Sequence, residues 1–318
     1  MTNVRLGYAC INMTLGSRPN KLGGRVYTSR TARKATWQST NDLDLLGSKA
    51  LANAHDLLHI LKWNVEHDIY LFRIGSEVFP WHDHYELCDL PQYDEIAAQL
   101  HICGEYARSN NMRLTTHPGP FHVLGSPKDH VIDSSIIGLE RHSQMFDLMG
   151  YTPSYDNAIN IHMGGAYGDH DSTAKRWITA WHRLSDRCKA RLVIENDDKP
   201  SMWSTQMLYD YLYPHINIPI TFDYHHHRFH TSGLSEQEAL ELAGSTWPSH
   251  IRQLTHYSES KSAEYDDPKI RPQAHSDYIR QEIDTYNHPL DIMIEAKAKE
   301  LALLEYRNIY THKKVLTW

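Results

Sequence analysis

Cysteine is scarce in this 318-residue chain: four residues (Cys10, Cys88, Cys103 and Cys188) lie far apart, and none form the CxxC spacing of a zinc ribbon or redox dithiol. They read as reduced, mostly buried thiols of an intracellular protein. No stretch approaches the roughly 18 apolar residues of a membrane span, and the start MTNVRLGYAC lacks the apolar core of a secretory signal. A cytoplasmic or nuclear location and no membrane partner are therefore expected. With 16 glycines and 14 prolines the chain is neither fibrous nor of low complexity. A basic excess is also missing, since 39 acids against 32 bases give a net charge of −7. Any nucleic-acid role then needs a local basic face or bound cations.

What the chain does have is apolar residues (41%, against 22% charged), enough for a large core, and 23 histidines. Equal use of the residue types would give about 16, and imidazole is the commonest metal ligand and the natural proton carrier near neutrality.

Eight short runs rich in β-branched and aliphatic residues recur at 4–11, 69–76, 112–119, 157–165, 191–198, 218–226, 251–259 and 290–297. Segments with helical spacing separate them, among them 42–67, 93–110, 131–149, 173–187 and 235–243. This α/β alternation without a break in composition predicts a parallel sheet closed into a (β/α)₈ TIM barrel, a single domain over 1–318, with an open doubly wound sheet as the rival. Two stretches read as loop insertions at the C-terminal mouth. One, about 17–40, carries Arg18, Lys21, Arg25, Arg30, Arg33 and Lys34 without an acid; the other, 77–92, is aromatic and bounded by proline.

The ends of the runs carry the chemistry. The third closes on His117, the fourth on His162, the fifth on Glu195, the sixth on Asp223 to His226, the seventh near His256 and the eighth on Glu295. Their mean separation, about 36 residues, is close to the length of one βα unit. In a barrel those ends converge on one mouth, where active sites of this fold are built. The rim would gather His117, His162, Glu195, Asp223, His226, His256 and Glu295, with His275 from the following loop. That exceeds the capacity of one tetrahedral zinc. Mixed imidazole and carboxylate ligands suit Mn²⁺, Zn²⁺ or Fe²⁺, and Glu195 could bridge two ions. Two or three divalent ions make phosphodiester hydrolysis the leading chemistry. Among the spare histidines, His225 and His227 alternate direction about His226 if the strand continues, whereas His82, His84, His122 and His130 read as surface or supporting residues. Asp197 and Asp198 orient water or ligand imidazoles, or are solvated loop acids.

The ordered set LGYACINMTLG, FRIGS, HPG, HMGGAYG, IENDD, FDYHHH, RPQAHSD and EAKAKE, spread over roughly residues 4 to 300, resembles the UV-damage endonuclease family of the xylose isomerase-like barrel superfamily. The resemblance implies an enzyme that nicks double-stranded damaged DNA immediately 5′ to cyclobutane pyrimidine dimers, 6-4 photoproducts and, in related enzymes, abasic sites, leaving a 3′-hydroxyl and a 5′-phosphate. It implies the same eight metal ligands, with Mn²⁺ the first choice, and a monomer. Glu195, His117 and Glu295 would be catalytic, and Lys297 would bind phosphate or be a solvated lysine. Tyr8 and Asn12 match residues beside the damaged nucleotides. Where the family has Gln-Tyr after HPG, this chain has Pro120-Phe121, which keeps an aromatic wedge and loses an amide able to read a base edge. Leu254 replaces a carboxylated lysine near the metals, which predicts a weaker third metal or weaker discrimination.

The basic segment Arg18 to Lys34 is the candidate phosphate contact or a solvated loop, and the loop around Phe79 to His82 either lines the DNA groove or packs on the barrel. Two other functions fit the same rim: a metal-dependent sugar isomerase, which needs a small closed pocket, and a lesion-binding protein with little turnover.

Overall fold

A computed structural model of the chain describes residues 4–17, 26 and 28–310. The eight runs become eight short parallel strands: β1 (Arg5–Ala9), β2 (Leu71–Ile74), β3 (Arg113–Thr116), β4 (Ile159–His162), β5 (Leu192–Glu195), β6 (Ile220–Asp223), β7 (Gln253–Tyr257) and β8 (Leu290–Ile294). They pair in sequence order, and β8 returns to β1 with Arg5 opposite Asp291 and Tyr8 opposite Ile294, so the sheet is a closed barrel. The doubly wound alternative is excluded.

Helices cover the outside because their apolar positions fall on one face. In Leu43–Glu66 the residues Leu46, Ala50, Ala54, Leu57 and Leu61 are all buried at three- and four-residue spacing, and the Asp42 side chain caps the first turn by accepting from Leu45 N at 2.9 Å. The helix Tyr93–Ser109 approaches its neighbour so closely at Gly104 that a Cβ there would sit 1.9 Å from the Met149 carbonyl oxygen. Ser235 and Glu238 form a reciprocal cap at the start of Glu236–Ser245. Between β7 and β8 the one α-helix among the described residues is the short Lys261–Tyr265, so this connection is mostly loop.

One boundary corrects the sequence reading. The run 218–226 does not continue as a strand: Asp223 ends β6, accepts a hydrogen bond from His226 N at 2.8 Å and opens the helix Tyr224–Phe229. His225, His226 and His227 therefore follow a helical rotation, not the alternation of a strand.

The floor of the barrel, at the N-terminal ends of the strands, is an ion cluster. Arg5 (2.5 Å), Arg113 (2.9 Å) and Arg252 (3.2 Å) converge on the fully buried Asp291. Arg113 spends its remaining donors on the carbonyls of Asp156, Tyr155 and Arg252. Burial alone would raise the Asp291 pKa, but hydrogen bonds from Arg5 and the charge of Arg113 hold it below the usual carboxylate range. Above the floor, Leu254 packs in a buried apolar cluster with Ala9, Leu71, Val193 and Met293. It lies two residues before His256 on β7, hence on the same face of the strand, one layer deeper.

The aromatic loop packs on the barrel. Val78, Phe79, Tyr85 and Leu87 are buried, and Trp81 donates to the Ala32 carbonyl at 3.0 Å. Of the histidines read as surface or supporting residues, His82 is buried there as well, where Nδ1 bonds the Phe79 carbonyl at 2.9 Å and the ring packs against His142; His84 and His130 are exposed. In the basic insertion, Arg18, Lys21 and Arg25 lie outside the described residues. Arg30 pairs with Asp56 at 2.6 Å, and Arg33 and Lys34 are exposed at the start of the helix Lys34–Thr40. Among the described residues no helix is long and apolar enough to cross a membrane.

Candidate metal centre at the barrel mouth

The C-terminal ends of the strands place the expected side chains in one cluster centred on Glu195, the last residue of β5, which is 1% exposed. Its carboxylate lies 3.1 Å from His256 Nδ1, 3.3 Å from His117 Nε2, 3.4 Å from His226 Nδ1 and 3.9 Å from His162 Nε2. Glu295, one residue beyond β8, adds a second anionic pole 3.3 Å from His256 and 3.9 Å from His275. Asp223 lies 3.9 Å from His226. All eight predicted ligands therefore belong to one connected set.

Two overlapping groups have donor atoms within 4.8 Å of one another, His117–His162–Glu195 and Glu195–Asp223–His256, with Glu195 common to both. Several buried polar atoms here make no hydrogen bond: His256 Nδ1 and Nε2, His162 Nδ1, His275 Nδ1, Asp223 Oδ2 and Asp197 Oδ2. Donors and acceptors this close, yet without hydrogen-bond geometry, would be costly unless a ligand satisfied them. Imidazole nitrogens and carboxylate oxygens are the donor set of Mn²⁺, Fe²⁺ or Zn²⁺. The residues fit a metal ion, and a shared carboxylate fits more than one.

The protonation pattern points the same way. Burial works against charging every group, but Glu195 and Asp197 outweigh it at His162 and raise its pKa to about 10; Glu195 and Glu295 likewise raise His256, and Asp223 and Glu195 raise His226. For Glu195, burial is outweighed by His256 and His162, so it stays ionised; Asp223 is pushed up by burial and by repulsion from Glu195 and Glu295. His117 and His275 are pushed down by burial. Without a metal the carboxylates recruit protons onto neighbouring imidazoles, so the site calls for positive charge at its centre.

Three contributors were not anticipated. Arg73 on β2 ion-pairs with Glu295, and its charge holds the Glu295 carboxyl below the usual carboxylate range despite burial. Asn160 on β4 donates a short hydrogen bond to Glu195. Lys299 is partly buried beside Glu295 with a lowered pKa caused first by burial. Asn160 was legible as the residue two before His162 on one strand, hence on its face. Arg73 is the second residue of the FRIGS run, and as a cation it acts by holding a ligand and not by being one. Supporting contacts orient the imidazoles: His117 Nδ1 meets the Pro118 carbonyl at 3.0 Å, His226 Nδ1 the Asn196 carbonyl at 2.9 Å, and His162 Nδ1 lies 3.1 Å from Asp197.

The remaining predicted residues divide. Phe121 stands on the loop after β3, 85% exposed, with Pro120 also exposed. Lys297 is exposed just past Glu295. Tyr8 and Asn12, expected beside the damaged nucleotides, are both fully buried, Tyr8 donating to Asn64 Oδ1 at 2.6 Å and accepting from Asn12 Nδ2 at 2.9 Å. His225 and His227 are buried beside the cluster, and His225 Nε2 meets the Gln273 carbonyl at 3.1 Å. A cleft of about 130 Å³ adjoins His117 and His162, walled by Pro118, Val123, Ile161 and Met202.

Residues 4–316 match the family model described as UV-endonuclease UvdE. The chain is 35% identical over 316 residues to the UV-damage endonuclease of Schizosaccharomyces pombe, covering 95% of this chain and 50% of that protein. It is 30% identical over 311 residues to the UV DNA damage endonuclease of Clostridium perfringens, covering 96% of this chain and 70% of that one. The chain thus spans about half the length of the fungal relatives it matches. The crystal structure of SacUVDE superposes with a TM-score of 0.82 at 28% identity, covering 98% of this chain and 99% of that one.

Proposed function

The chain belongs to the UV-endonuclease UvdE family, and from that premise we propose that it is a metal-dependent DNA repair endonuclease cutting one strand immediately 5′ to UV photolesions. The substrates are double-stranded DNA with cyclobutane pyrimidine dimers or 6-4 photoproducts, and abasic sites as a further class; the products are a 3′-hydroxyl and a 5′-phosphate. The observation that carries the reading is the position of Glu195 as the shared member of two overlapping ligand groups.

His117, His162 and Glu195 would hold one divalent ion and Glu195, Asp223 and His256 a second, with His226, His275 and Glu295 completing the set. Mn²⁺ is the metal proposed, Zn²⁺ or Fe²⁺ the substitutes. Bound there, such ions would supply hydroxide at neutral pH and offset charge on the attacking and leaving oxygens of a phosphodiester. The protein's own part is positional. Asn160 fixes the Glu195 carboxylate, and Arg73 fixes Glu295 and balances part of the anionic charge. Phe121, exposed beside the mouth, is the wedge that enters the duplex where a lesion has weakened stacking. Pro120 supplies no amide for the opposing base, so discrimination there rests on deformability. Leu254 occupies an apolar layer below His256 and brings no carboxylate to the metals, which favours two ions over three. Lys297, Arg30 and the neighbouring basic residues are the proposed phosphate contacts, and a monomer inside the cell is the proposed working form.

The test is direct. UV-irradiated and undamaged labelled duplexes are incubated with the protein and Mn²⁺, and selective nicking of the irradiated one is expected. Sugar interconversion without nicking would identify an isomerase instead, and retarded mobility without cleavage a lesion-binding protein.

A further inference from the structure

Among the described residues, the large aromatic side chains exposed to solvent are Phe121, Tyr167 (52%) and Tyr265 (55%). Phe121 and Tyr167 stand on the loops that leave the C-terminal ends of β3 and β4, and Tyr265 ends the short helix Lys261–Tyr265 in the connection that leaves β7, so all three ring the same mouth. Tyr265 is already committed: its hydroxyl donates to Asp277 Oδ2 at 2.6 Å, and Lys261, over its ring, donates to Asp277 Oδ1 at 2.7 Å. Tyr167 is not. Among the described residues its hydroxyl has no hydrogen-bond partner.

The support beneath Tyr167 is built nonetheless. Its φ of 52° is left-handed, a conformation a bulky residue keeps only where its surroundings enforce it. Arg176 lies 5.8 Å from the ring centroid and is itself fixed by the Gly125 carbonyl at 2.9 Å and Thr173 Oγ1 at 2.8 Å. Thr173 Oγ1 in turn donates to the Ala166 carbonyl at 2.8 Å. The bond to Gly125 ties the helix His170–His182, which carries Arg176 behind Tyr167, to the loop that carries Phe121. A rigid, half-exposed ring backed by a guanidinium matches a nucleotide, which presents a flat π-face beside a phosphate.

We propose that Tyr167, with Arg176 behind it, is a second stacking platform at the mouth, taking an unpaired base of the DNA strand on its ring and the adjoining phosphate against the guanidinium. The assignment rests on the endonuclease reading. It gives the mouth two aromatic contacts on adjacent loops, Phe121 entering the duplex and Tyr167 receiving a base displaced from it.

The experiment measures binding of the full chain to a fluorescein-labelled duplex with one cyclobutane dimer, without Mn²⁺ so that the strand stays intact, and the fluorescence of 2-aminopurine placed beside the lesion. Tyr167→Ala should weaken binding about tenfold and abolish the quenching of 2-aminopurine, while Tyr167→Phe stays within about twofold of wild type because the ring does the stacking. An unchanged melting temperature for Tyr167→Ala shows that folding is not the cause. Equal affinity and quenching in wild type and Tyr167→Ala would overturn the platform and leave the endonuclease reading intact. A Tyr167→Phe as weak as Tyr167→Ala would also overturn it, because the hydroxyl would then carry the contact. Wild-type protein that binds no lesion-bearing duplex would overturn the platform, and one that also nicks none when Mn²⁺ is added would overturn both readings.

Discussion

The two ends of this barrel are built from the same chemical groups and treat them in opposite ways. At the floor, three arginines surround Asp291, each within hydrogen-bonding range, and no side-chain polar atom of Arg5, Arg113, Arg252 or Asp291 is buried without a partner. At the mouth, His256 has both ring nitrogens buried and unbonded, and Asp223, Asp197, His162 and His275 each leave one atom unsatisfied. Size does not distinguish the ends in the expected direction, for a cleft of about 950 Å³ opens beside the floor around Arg5, Arg252 and Arg307, while about 130 Å³ lies beside His117 and His162. Satisfaction does. A charge cluster that is complete by itself is costly to break, and one that is incomplete by itself fits a ligand.

The largest effect should come from breaking the incomplete end. Glu195→Gln and His117→Ala are expected to lower nicking of irradiated duplex about a thousandfold or more, the scale on which enzymes depend on preorganised charge at the reacting centre. Circular dichroism and the melting temperature of the metal-free variants should change little. Wild-type nicking rates in both would remove the assignment of the site.

Next comes the complete end. Asp291→Asn leaves three arginines without their shared anion and should cost about 3 kcal/mol or more in urea unfolding, with Mn²⁺ uptake retained. Because the native pKa of Asp291 is depressed, its contribution is fully present above the unfolded value of about 3.9 and is lost as pH falls through the lower native value. The variant should accordingly lose part of the wild type's acid-induced decline in stability. An unfolding curve superimposable on wild type would show that the floor is not a structural anchor.

Adding metal sharpens the contrast, since only the mouth can respond. Mn²⁺ at a hundred times its Kd should stabilise the wild type by about 2.7 kcal/mol, and Glu195→Gln by much less. Since neighbouring carboxylates raise His162 to about 10, the metal must displace protons at pH 7, so a weakly buffered solution should acidify on titration. Stabilisation of equal size in Glu195→Gln would place the metal elsewhere.

The mouth was far more legible in the sequence than the floor, and topology explains why. In a closed parallel barrel every strand end points to one rim, so His117, His162, Glu195, Asp223, His256 and Glu295 could be brought together from spacing alone. His226 was also found, although for the wrong local reason: the run around it reads as strand, and only the Asp223 cap makes it a helical turn. Arg73 escaped because it acts by holding a ligand. Tyr8 and Asn12 were placed at the right strand end, but burial depends on Asn64, contributed by a helix far along the chain. At the floor nothing marked Asp291 inside LDIMIEAK, since its partner Arg5 lies 286 residues away and the pairing exists only once β8 closes on β1.

The smallest expected effect belongs to the rim cation Lys297, and it tests whether charge at the two ends differs in purpose as well as in burial. Its side chain is exposed, two residues past Glu295, so Lys297→Gln should leave unfolding within about 0.5 kcal/mol of wild type, unlike any change to the floor. If the ammonium meets a phosphate, the variant should bind lesion-bearing duplex a few-fold more weakly, and the slope of log Kd against log salt should fall by about one contact's worth, roughly 0.9. The slope separates a true phosphate contact from a general change in net charge, because it counts released counterions. An unchanged slope with unchanged affinity would make Lys297 a solvated lysine and move the phosphate contact to other cations of the rim, with Arg30 and Arg33 the next to test.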